Sequence, residues 1–175
     1  AHWDACLNTH QMVEITKKRG LSVHFGIDED GTIYQLLDTK DIAWHAKGIN
    51  TASVGVEIAN PVSLRYDGYY RKTGRSPRPI IASDVMHGKE LSPYLGFYPV
   101  QIKAFKELAR AVCSAHNIPF RVPLNKEGYL LKEVDQRVIQ RSYRGIVGHF
   151  HSTTRKRDPS CLPLDEIAKE LAGEE

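Results

Sequence analysis

The chain of 175 residues lacks several features that mark specialised classes of protein. Its three cysteines, Cys6, Cys113 and Cys161, are too few and too scattered for a disulfide framework, and we expect them to behave as small buried side chains. No apolar run approaches the roughly 18 residues that a membrane span requires. There is no signal peptide, which says little about the compartment because the chain begins with Ala1 rather than Met. Repeats and low-complexity tracts are also absent.

Charge of one sign is not in excess either. The chain has 24 Lys and Arg against 21 Asp and Glu, a formal net charge of +3 and a pI near 8.7. This balance permits an anionic partner without requiring one. The basic residues are spread along the chain and no basic helix is interleaved with aromatics, so we do not expect nucleic-acid binding. With 41% hydrophobic and 26% charged residues, the sequence is typical of one globular domain with one core.

Four stretches have the apolar spacing of amphipathic helices, and they are residues 9–19, 99–117, 133–141 and 163–172. The second is the clearest, because Pro99 suits a first helical turn and the apolar side chains recur at i, i+3 and i+4. Asn8 or Thr9 can cap the first helix, and Gly20 can end it.

Three runs rich in β-branched and aromatic residues predict strands, and they are residues 22–27, 32–36 and 53–58. Asp30-Gly31 joins the first two, and this dipeptide tolerates the positive φ of a tight turn, so we predict a hairpin. Glu57 is the anomaly in the third run, because it is a carboxylate between apolar neighbours. An alternating strand could also turn such a residue to solvent.

Residues 60–98 change in composition to Gly, Pro, Tyr, Arg and Ser without a sustained period. That length is unusual for a structureless connection, so we interpret it as an ordered insertion that forms a lid or a wall. Strands flanked by helices, with one hairpin and one long helix, predict an α/β fold in which a mixed central β-sheet is flanked by α-helices.

The stretch Gly148 to Pro159 contains two histidines, a lysine and an aspartate, and follows a short apolar run at 145–148 that we predict to be a strand. His149 and Asp158 lie nine positions apart and can meet at one metal ion only if the loop folds back. A functional loop held by a rigid element is a common place for chemistry.

Four motifs in this order resemble the type 2 N-acetylmuramoyl-L-alanine amidases, relatives of the phage amidase lysozymes and the peptidoglycan recognition proteins. The motifs are Val23–Gln35, Ala43-Trp44-His45-Ala46, Ser53–Ile58, and Gly148-His149 with Lys156-Arg157-Asp158-Pro159. Several motifs in the right order are more specific than any one of them. The resemblance covers roughly 1–59 and 99–165. It implies one zinc amidase domain over 1–175, with a family-atypical insertion at about 60–98.

The resemblance implies a zinc hydrolase that cleaves the amide bond between N-acetylmuramic acid and L-alanine of the stem peptide. Its zinc ligands would be His2, His149 and Asp158, with Glu57 and Lys156 as the catalytic pair. Three N/O ligands and an open fourth position are what a catalytic zinc site needs. Glu57 would pass a proton from water to the leaving nitrogen, and Lys156 would stabilise the developing oxyanion.

The same resemblance makes Trp44, His45 and Asn50 candidates for contacts with the substrate, although a hydrogen bond to backbone would explain His45 equally well. We expect His24 to be buried rather than a ligand. In the insertion, the candidate contacts are Tyr66, Tyr69, Tyr70, Arg71 and Arg75, unless the insertion is a surface elaboration.

Two residues compete with the proposed ligands. His151 shares a face with His149 if the strand continues, but the Gly148-His149 pair favours His149. Cys161 is a competitor because some family members use a cysteine, yet Asp158 lies two positions after Lys156, as the aspartate form of the motif requires.

Family members also reach their first ligand at the end of an apolar strand, whereas one residue precedes His2. Either that strand lies upstream or the metal site is compromised.

The alternative function is a catalytically inactive peptidoglycan-binding recognition module. Such modules usually lack the third ligand, and its presence here favours catalysis. A zinc peptidase of the His-Glu-x-x-His kind is excluded because that motif does not occur. We expect a monomer that acts on peptidoglycan or muropeptides. A secreted or periplasmic wall enzyme, a phage lysin and a cytoplasmic muropeptide-recycling enzyme all remain open as its setting.

Overall fold

The computed structural model describes residues 1–173. The N-terminal part of the chain forms a four-stranded sheet. Its strands are β1 (His2–Trp3), β2 (Phe25–Ile27), β3 (Ile33–Gln35) and β4 (Val56–Ile58). Their order is β1-β4-β2-β3, with β4 parallel to both neighbours and β3 antiparallel to β2. The mixed sheet is therefore confirmed. The chain has a strand at its first ligand candidate, because His2 itself lies in β1.

The predicted hairpin joins β2 and β3. Gly31 adopts a φ of +85°, a left-handed conformation that glycine reaches without strain. The Asp28 amide donates to the Thr32 carbonyl at 2.9 Å and closes the turn. The Asp30 carboxylate accepts the Thr32 amide at 2.8 Å and fixes the loop further.

Helices cover both faces of the sheet. The helices are α1 (Thr9–Lys18), α2 (Asp67–Lys72), α3 (Pro99–Ala115), α4 (Gln136–Ile139) and α5 (Leu164–Gly173). The main core joins one face of β2 and β4 to α3 and α5, through residues such as Ile27, Ile58, Phe105 and Leu171. Helix α1 crosses the opposite face so closely that a Cβ on Gly26 would lie 2.5 Å from the Thr9 side chain.

Local sequence accounts for the helix ends. The Asn8 side chain accepts the Gln11 amide at 2.8 Å and caps α1, as predicted. Pro99 opens α3. The helix predicted at 133–141 is only one turn long, because Asp135 caps it by accepting the Arg137 amide and Arg141 has a left-handed φ of 60°.

The insertion at 60–98 is ordered, as predicted, but it is built from very short elements. Besides α2 it contains β5 (Ile80–Ile81) paired with β8 (Tyr94–Leu95), and the hairpin of β6 (Asp84–Met86) and β7 (Lys89–Leu91). Tyr70 is fully buried beneath the Arg78 guanidinium, so it cannot contact a substrate as predicted. Arg75 forms an ion pair with Glu29 at 2.7 Å.

The strand predicted at 145–148 is wrong. Isolated hydrogen bonds hold this run: the Ala1 amine donates to the Val147 carbonyl, and the Ile146 amide donates to the Arg121 carbonyl, both at 2.8 Å. The Ala1 carbonyl also accepts the His149 amide at 3.1 Å, so the pairing beside β1 is limited to this one residue, and 145–148 is not part of a named strand. His149–His151 then forms one 3-10 turn.

Two expectations about composition can be compared with the fold. All three cysteines are free, with Cys6 and Cys113 buried and Cys161 partly buried. Among residues 1–173, no helix combines the length and the apolar character needed to cross a membrane.

Candidate metal centre and active site

The register of the parallel strands places His2 and Glu57 side by side. His2 of β1 pairs with Glu57 of β4, which pairs in turn with Gly26 of β2. Cross-strand partners project from the same face of a sheet. Glu57 therefore points away from the core that receives Val56 and Ile58, and its Oε1 lies 4.0 Å from His2 Nδ1. Its side chain is only 15% exposed, so it is not a solvent-facing residue.

The C-terminal stretch folds back over this edge of the sheet. The His149 amide donates to the Ala1 carbonyl at 3.1 Å, and the Phe150 amide donates to the Asp158 carbonyl at 3.2 Å. The first bond joins this stretch to the residue before β1, and the second closes the loop that separates His149 from Asp158. The loop therefore returns the aspartate to the histidine, as convergence on one metal ion requires.

Three side-chain atoms meet at this point. His2 Nδ1 lies 2.9 Å from His149 Nδ1 and 3.1 Å from Asp158 Oδ2, and the last two atoms are 3.0 Å apart. His2, His149 and Asp158 form a group that could hold a metal ion, with all ligand atoms within 4.8 Å of one another. The structure thus brings together the three predicted ligands.

Electrostatics favour the forms of these groups that bind cations. Burial lowers the pKa of His2 to about 3, so its imidazole is neutral. Burial alone would raise the pKa of Asp158, but its close contacts with His149 and His2 hold that pKa below its usual range. A neutral imidazole and an ionised carboxylate are the forms in which these side chains act as metal ligands.

The pKa of Glu57 is shifted in the opposite direction to that of Asp158. Burial raises its pKa well above the usual 4.5, and the charges of Asp4 and Asp158 raise it further. The positive charge of Lys156 opposes this shift. Glu57 Oε2 is buried without a hydrogen-bond partner, which leaves one carboxylate oxygen free for a proton or a ligand. A carboxyl group of raised pKa beside a metal cluster suits a general base.

A cleft of about 530 Å³ opens beside the cluster, between the β6–β7 hairpin and the loop at 154–158. Lys156 and Arg157 line one side, Lys89 lines the hairpin side, and Trp3 contributes to the wall. The insertion therefore forms a wall next to the candidate site. Lys156, a predicted catalytic residue, is exposed at this cleft.

The candidates for substrate contacts have different surroundings. Trp44 is 59% exposed. His45 Nδ1 lies 3.0 Å from Nε2 of the candidate ligand His2, and its Nε2 lies 3.3 Å from Ser53 Oγ. Asn50 Oδ1 accepts the amides of His45 and Ala46 at 3.1 and 2.7 Å and shapes that loop. That these residues bind substrate stays a prediction.

The competing residues have other partners. His24 is buried, as predicted, where its Nδ1 accepts the Gly55 amide. His151 is also buried; its Nε2 donates to the Leu131 carbonyl at 2.8 Å and its Nδ1 accepts the Gly148 amide. Neither histidine belongs to the cluster. Cys161 is a partly buried free cysteine outside the cluster, which leaves Asp158 as the third member.

Two contacts were not predicted from the sequence. One is the line of polar atoms from His2 through His45 to Ser53, and the other is the attachment of the β6–β7 hairpin, through Asp84, to Ser160 next to the loop that carries Asp158. Gly55 was an indication of the first, since an isolated glycine in a strand often marks a close approach. A Cβ there would lie 2.6 Å from the His45 ring.

Two solved structures with the same fold contain bound muramyl peptides. The chain is similar to the N-acetylmuramyl-L-alanine amidase AmiD from E. coli, solved with anhydro-N-acetylmuramic acid-L-Ala-D-γ-Glu-L-Lys, with a TM-score of 0.58, 17% identity and coverage of 97% of this chain and 55% of that one. It is also similar to AmpDh3 from Pseudomonas aeruginosa, solved with anhydromuramic pentapeptide, with a TM-score of 0.57, 21% identity and coverage of 98% and 57%. The chain spans little more than half the length of both.

Sequence comparison assigns the family. A search of curated protein sequences found no significant match. The sequence profile of the N-acetylmuramoyl-L-alanine amidase family, in contrast, matches residues 1–161. That range includes His2, Glu57, His149 and Asp158, as well as the insertion. The chain belongs to the N-acetylmuramoyl-L-alanine amidase family.

Proposed function

We propose that this domain is a zinc-dependent amidase that hydrolyses the bond between N-acetylmuramic acid and L-alanine of a peptidoglycan stem peptide. The observation that carries the proposal is the meeting of His2 Nδ1, His149 Nδ1 and Asp158 Oδ2 beside Glu57, in a member of the amidase family. A recognition module would need neither the cluster nor a buried carboxyl group of raised pKa.

The donor set fits zinc. Catalytic zinc sites take three protein ligands of imidazole and carboxylate type and keep a further position open. Here the three ligand atoms come from a strand, a 3-10 turn and a loop. Glu57 is next to them, and its Oε2 has no hydrogen-bond partner. A bound zinc ion would supply a Lewis acid at this point.

The chain's own residues supply the proton transfers. Glu57 takes a proton from the attacking water as the water oxygen bonds to the carbonyl carbon of the lactyl group. As the carbon–nitrogen bond breaks, Glu57 returns that proton to the nitrogen of L-alanine. The ammonium of Lys156, at the edge of the cleft, stabilises the negative charge on the carbonyl oxygen in the transition state. The products are a free lactyl carboxylate and a free stem peptide.

We infer that the substrate is a muramyl peptide of the kind bound in the two solved structures. The cleft beside the cluster has space and positive charge for a peptide that carries carboxylates. A comparison of intact sacculi with soluble anhydro-muramyl peptides would identify the preferred form and so narrow the biological setting.

The decisive experiment is to incubate zinc-loaded protein with both substrates and to measure released stem peptide by mass spectrometry. We expect release by the wild type, and a loss of about 10²- to 10⁴-fold in Glu57→Gln, because the variant cannot accept a proton. Zinc content should be retained in this variant.

Glu14→Gln is the matched control, since Glu14 is an exposed glutamate on α1, and it should release peptide at the wild-type rate. Zinc-loaded wild-type protein that binds sacculi without releasing peptide would contradict the proposal and favour the recognition module.

A further inference from the structure

We propose that Ser53 and His45 together determine which nitrogen of His2 carries the hydrogen, and so keep its Nδ1 free to bind the metal. The three side chains form a continuous line: Ser53 Oγ lies 3.3 Å from His45 Nε2, and His45 Nδ1 lies 3.0 Å from His2 Nε2. The inference rests on the proposed zinc site and concerns residues that do not themselves touch the metal.

The direction of the line follows from its far end. The Ser53 hydroxyl has one hydrogen, and it donates this hydrogen to the Ile49 carbonyl at 2.8 Å. Towards His45, the Ser53 oxygen can therefore only accept. His45 must then carry its hydrogen on Nε2, which leaves Nδ1 as an acceptor.

The same argument applies to the next residue of the line, His2. An acceptor at His45 Nδ1 requires a hydrogen on His2 Nε2, because the two nitrogens lie at hydrogen-bond distance. A neutral imidazole with its hydrogen on Nε2 has its lone pair on Nδ1. That is the atom of His2 that faces His149 and Asp158. Partners of this kind fix the ring orientation and the tautomer of metal-binding histidines.

Neutral rings are the forms that a metal site requires, because an imidazole binds a metal ion through an unprotonated nitrogen. A protonated imidazole would carry hydrogens on both nitrogens, and the direction of the line would then have no meaning.

The surrounding backbone is shaped to hold His45 in this position. Asn50 accepts the amides of His45 and Ala46, which fixes the loop that carries the ring. On the other side Gly55 leaves space, since a Cβ there would lie 2.6 Å from two atoms of the ring. The His45 ring is thus positioned by the hydrogen bonds that Asn50 makes to its loop and by the space that Gly55 leaves beside it.

The test begins with the tautomer itself, observed without metal. In ¹H–¹⁵N correlation spectra of the imidazoles of zinc-free wild type, we expect His2 to carry its hydrogen on Nε2. In His45→Leu the preference should be lost. A hydrogen on Nδ1 of His2 in the wild type would overturn the inference, whether or not the domain binds zinc, so the result is independent of the proposed function.

Zinc affinity, measured by competition with a chelator, is the second readout. We expect binding about 10- to 100-fold weaker in His45→Leu, the range found when such supporting residues are removed. Ser53→Ala should have a smaller effect in the same direction, because its link of 3.3 Å is the longest of the line. Ser53→Thr keeps the hydroxyl and should restore wild-type affinity.

His10→Leu is the control, as His10 is an exposed histidine on α1, and it should bind zinc like the wild type. Thermal unfolding of each zinc-free variant identifies any that fail to fold. Wild-type zinc affinity in folded His45→Leu would overturn the inference.

Discussion

At the scale of single residues, Glu57 shows how burial changes the chemistry of a carboxyl group. Its pKa is raised well above 4.5, chiefly by burial, so the folded metal-free protein holds this proton more tightly than the unfolded chain does. The resulting contribution to stability is complete below the unfolded pKa and is lost as the pH rises through the folded pKa.

Glu57→Gln cannot ionise and escapes this loss. We therefore expect metal-free Glu57→Gln to gain stability relative to metal-free wild type as the pH rises above 4.5, by about 1.4 kcal/mol for each unit of pKa difference. Urea unfolding in the presence of a chelator, at several pH values between about 5 and 8, measures the difference. A constant difference across this range would contradict the prediction, and Glu14→Gln should give such a constant difference.

Residue types and their order in the sequence were enough to predict the cluster of His2, His149 and Asp158, but not the contacts that support it. The motifs around His149 and Asp158 predicted two members of the cluster, and the apolar neighbours of Glu57 distinguished it from other carboxylates. The contact between His45 and His2 joins residues 43 positions apart. It depends on the path of the loop, which Asn50 and Gly55 determine and which no periodicity encodes.

At the scale of elements, the β6–β7 hairpin is tied to the loop that carries Lys156 and Asp158. Asp84 of β6 is buried and accepts hydrogen bonds from Ser160, Tyr94 and Lys132. At the hairpin turn, His87 Nε2 donates to the Lys156 carbonyl at 2.8 Å. The insertion therefore supports the candidate active site as well as forming one wall of the cleft.

Asp84→Asn tests this attachment. Burial opposes the ionisation of Asp84, but hydrogen bonds from Lys132, Ser160 and Tyr94 outweigh burial and hold its pKa below 3.8. An amide cannot accept from all three donors, so we expect a loss of about 1–3 kcal/mol in the free energy of unfolding. Urea denaturation is the measurement. Glu90→Gln, on the exposed side of β7, should change stability by less than about 0.5 kcal/mol. Equal effects of the two substitutions would argue against the attachment.

Elements with a sustained hydrophobic period were the predictable ones. Helices α1, α3 and α5 were found within a few residues of their predicted bounds, because each buries one apolar side. The strands of the insertion are two or three residues long, too short for a period, and Asp84 of β6 accepts side-chain hydrogen bonds from Tyr94, Lys132 and Ser160. The run at 145–148 was apolar, yet its pairing beside β1 is limited to Ala1, and sequence alone does not show which segments will be neighbours.

At the scale of the whole molecule, metal binding should be coupled to global stability. A ligand that binds only the folded state stabilises it by about 4 kcal/mol at 1,000 times its dissociation constant. For a chain of this size we expect zinc to raise the unfolding temperature by roughly 10 °C over the chelator-treated protein. Differential scanning calorimetry measures the shift. His149→Ala should abolish it and His10→Ala should retain it; an equal shift in both variants would place the bound zinc elsewhere.

The overall architecture was predictable because the order of strands and helices and the family motifs agreed on a mixed sheet between helices. What remained open was the route by which distant segments meet at the edge of that sheet. That route depends on single hydrogen bonds, such as the one from the His149 amide to the Ala1 carbonyl.

The span of the cluster along the chain has a consequence for synthesis. His2 leaves the ribosome well before its two partners, which lie at positions 149 and 158. Until those two residues have been made, the nascent chain cannot assemble the cluster. A metal ion bound there would therefore stabilise a sheet and a C-terminal loop that are already in contact, rather than start the folding of the domain.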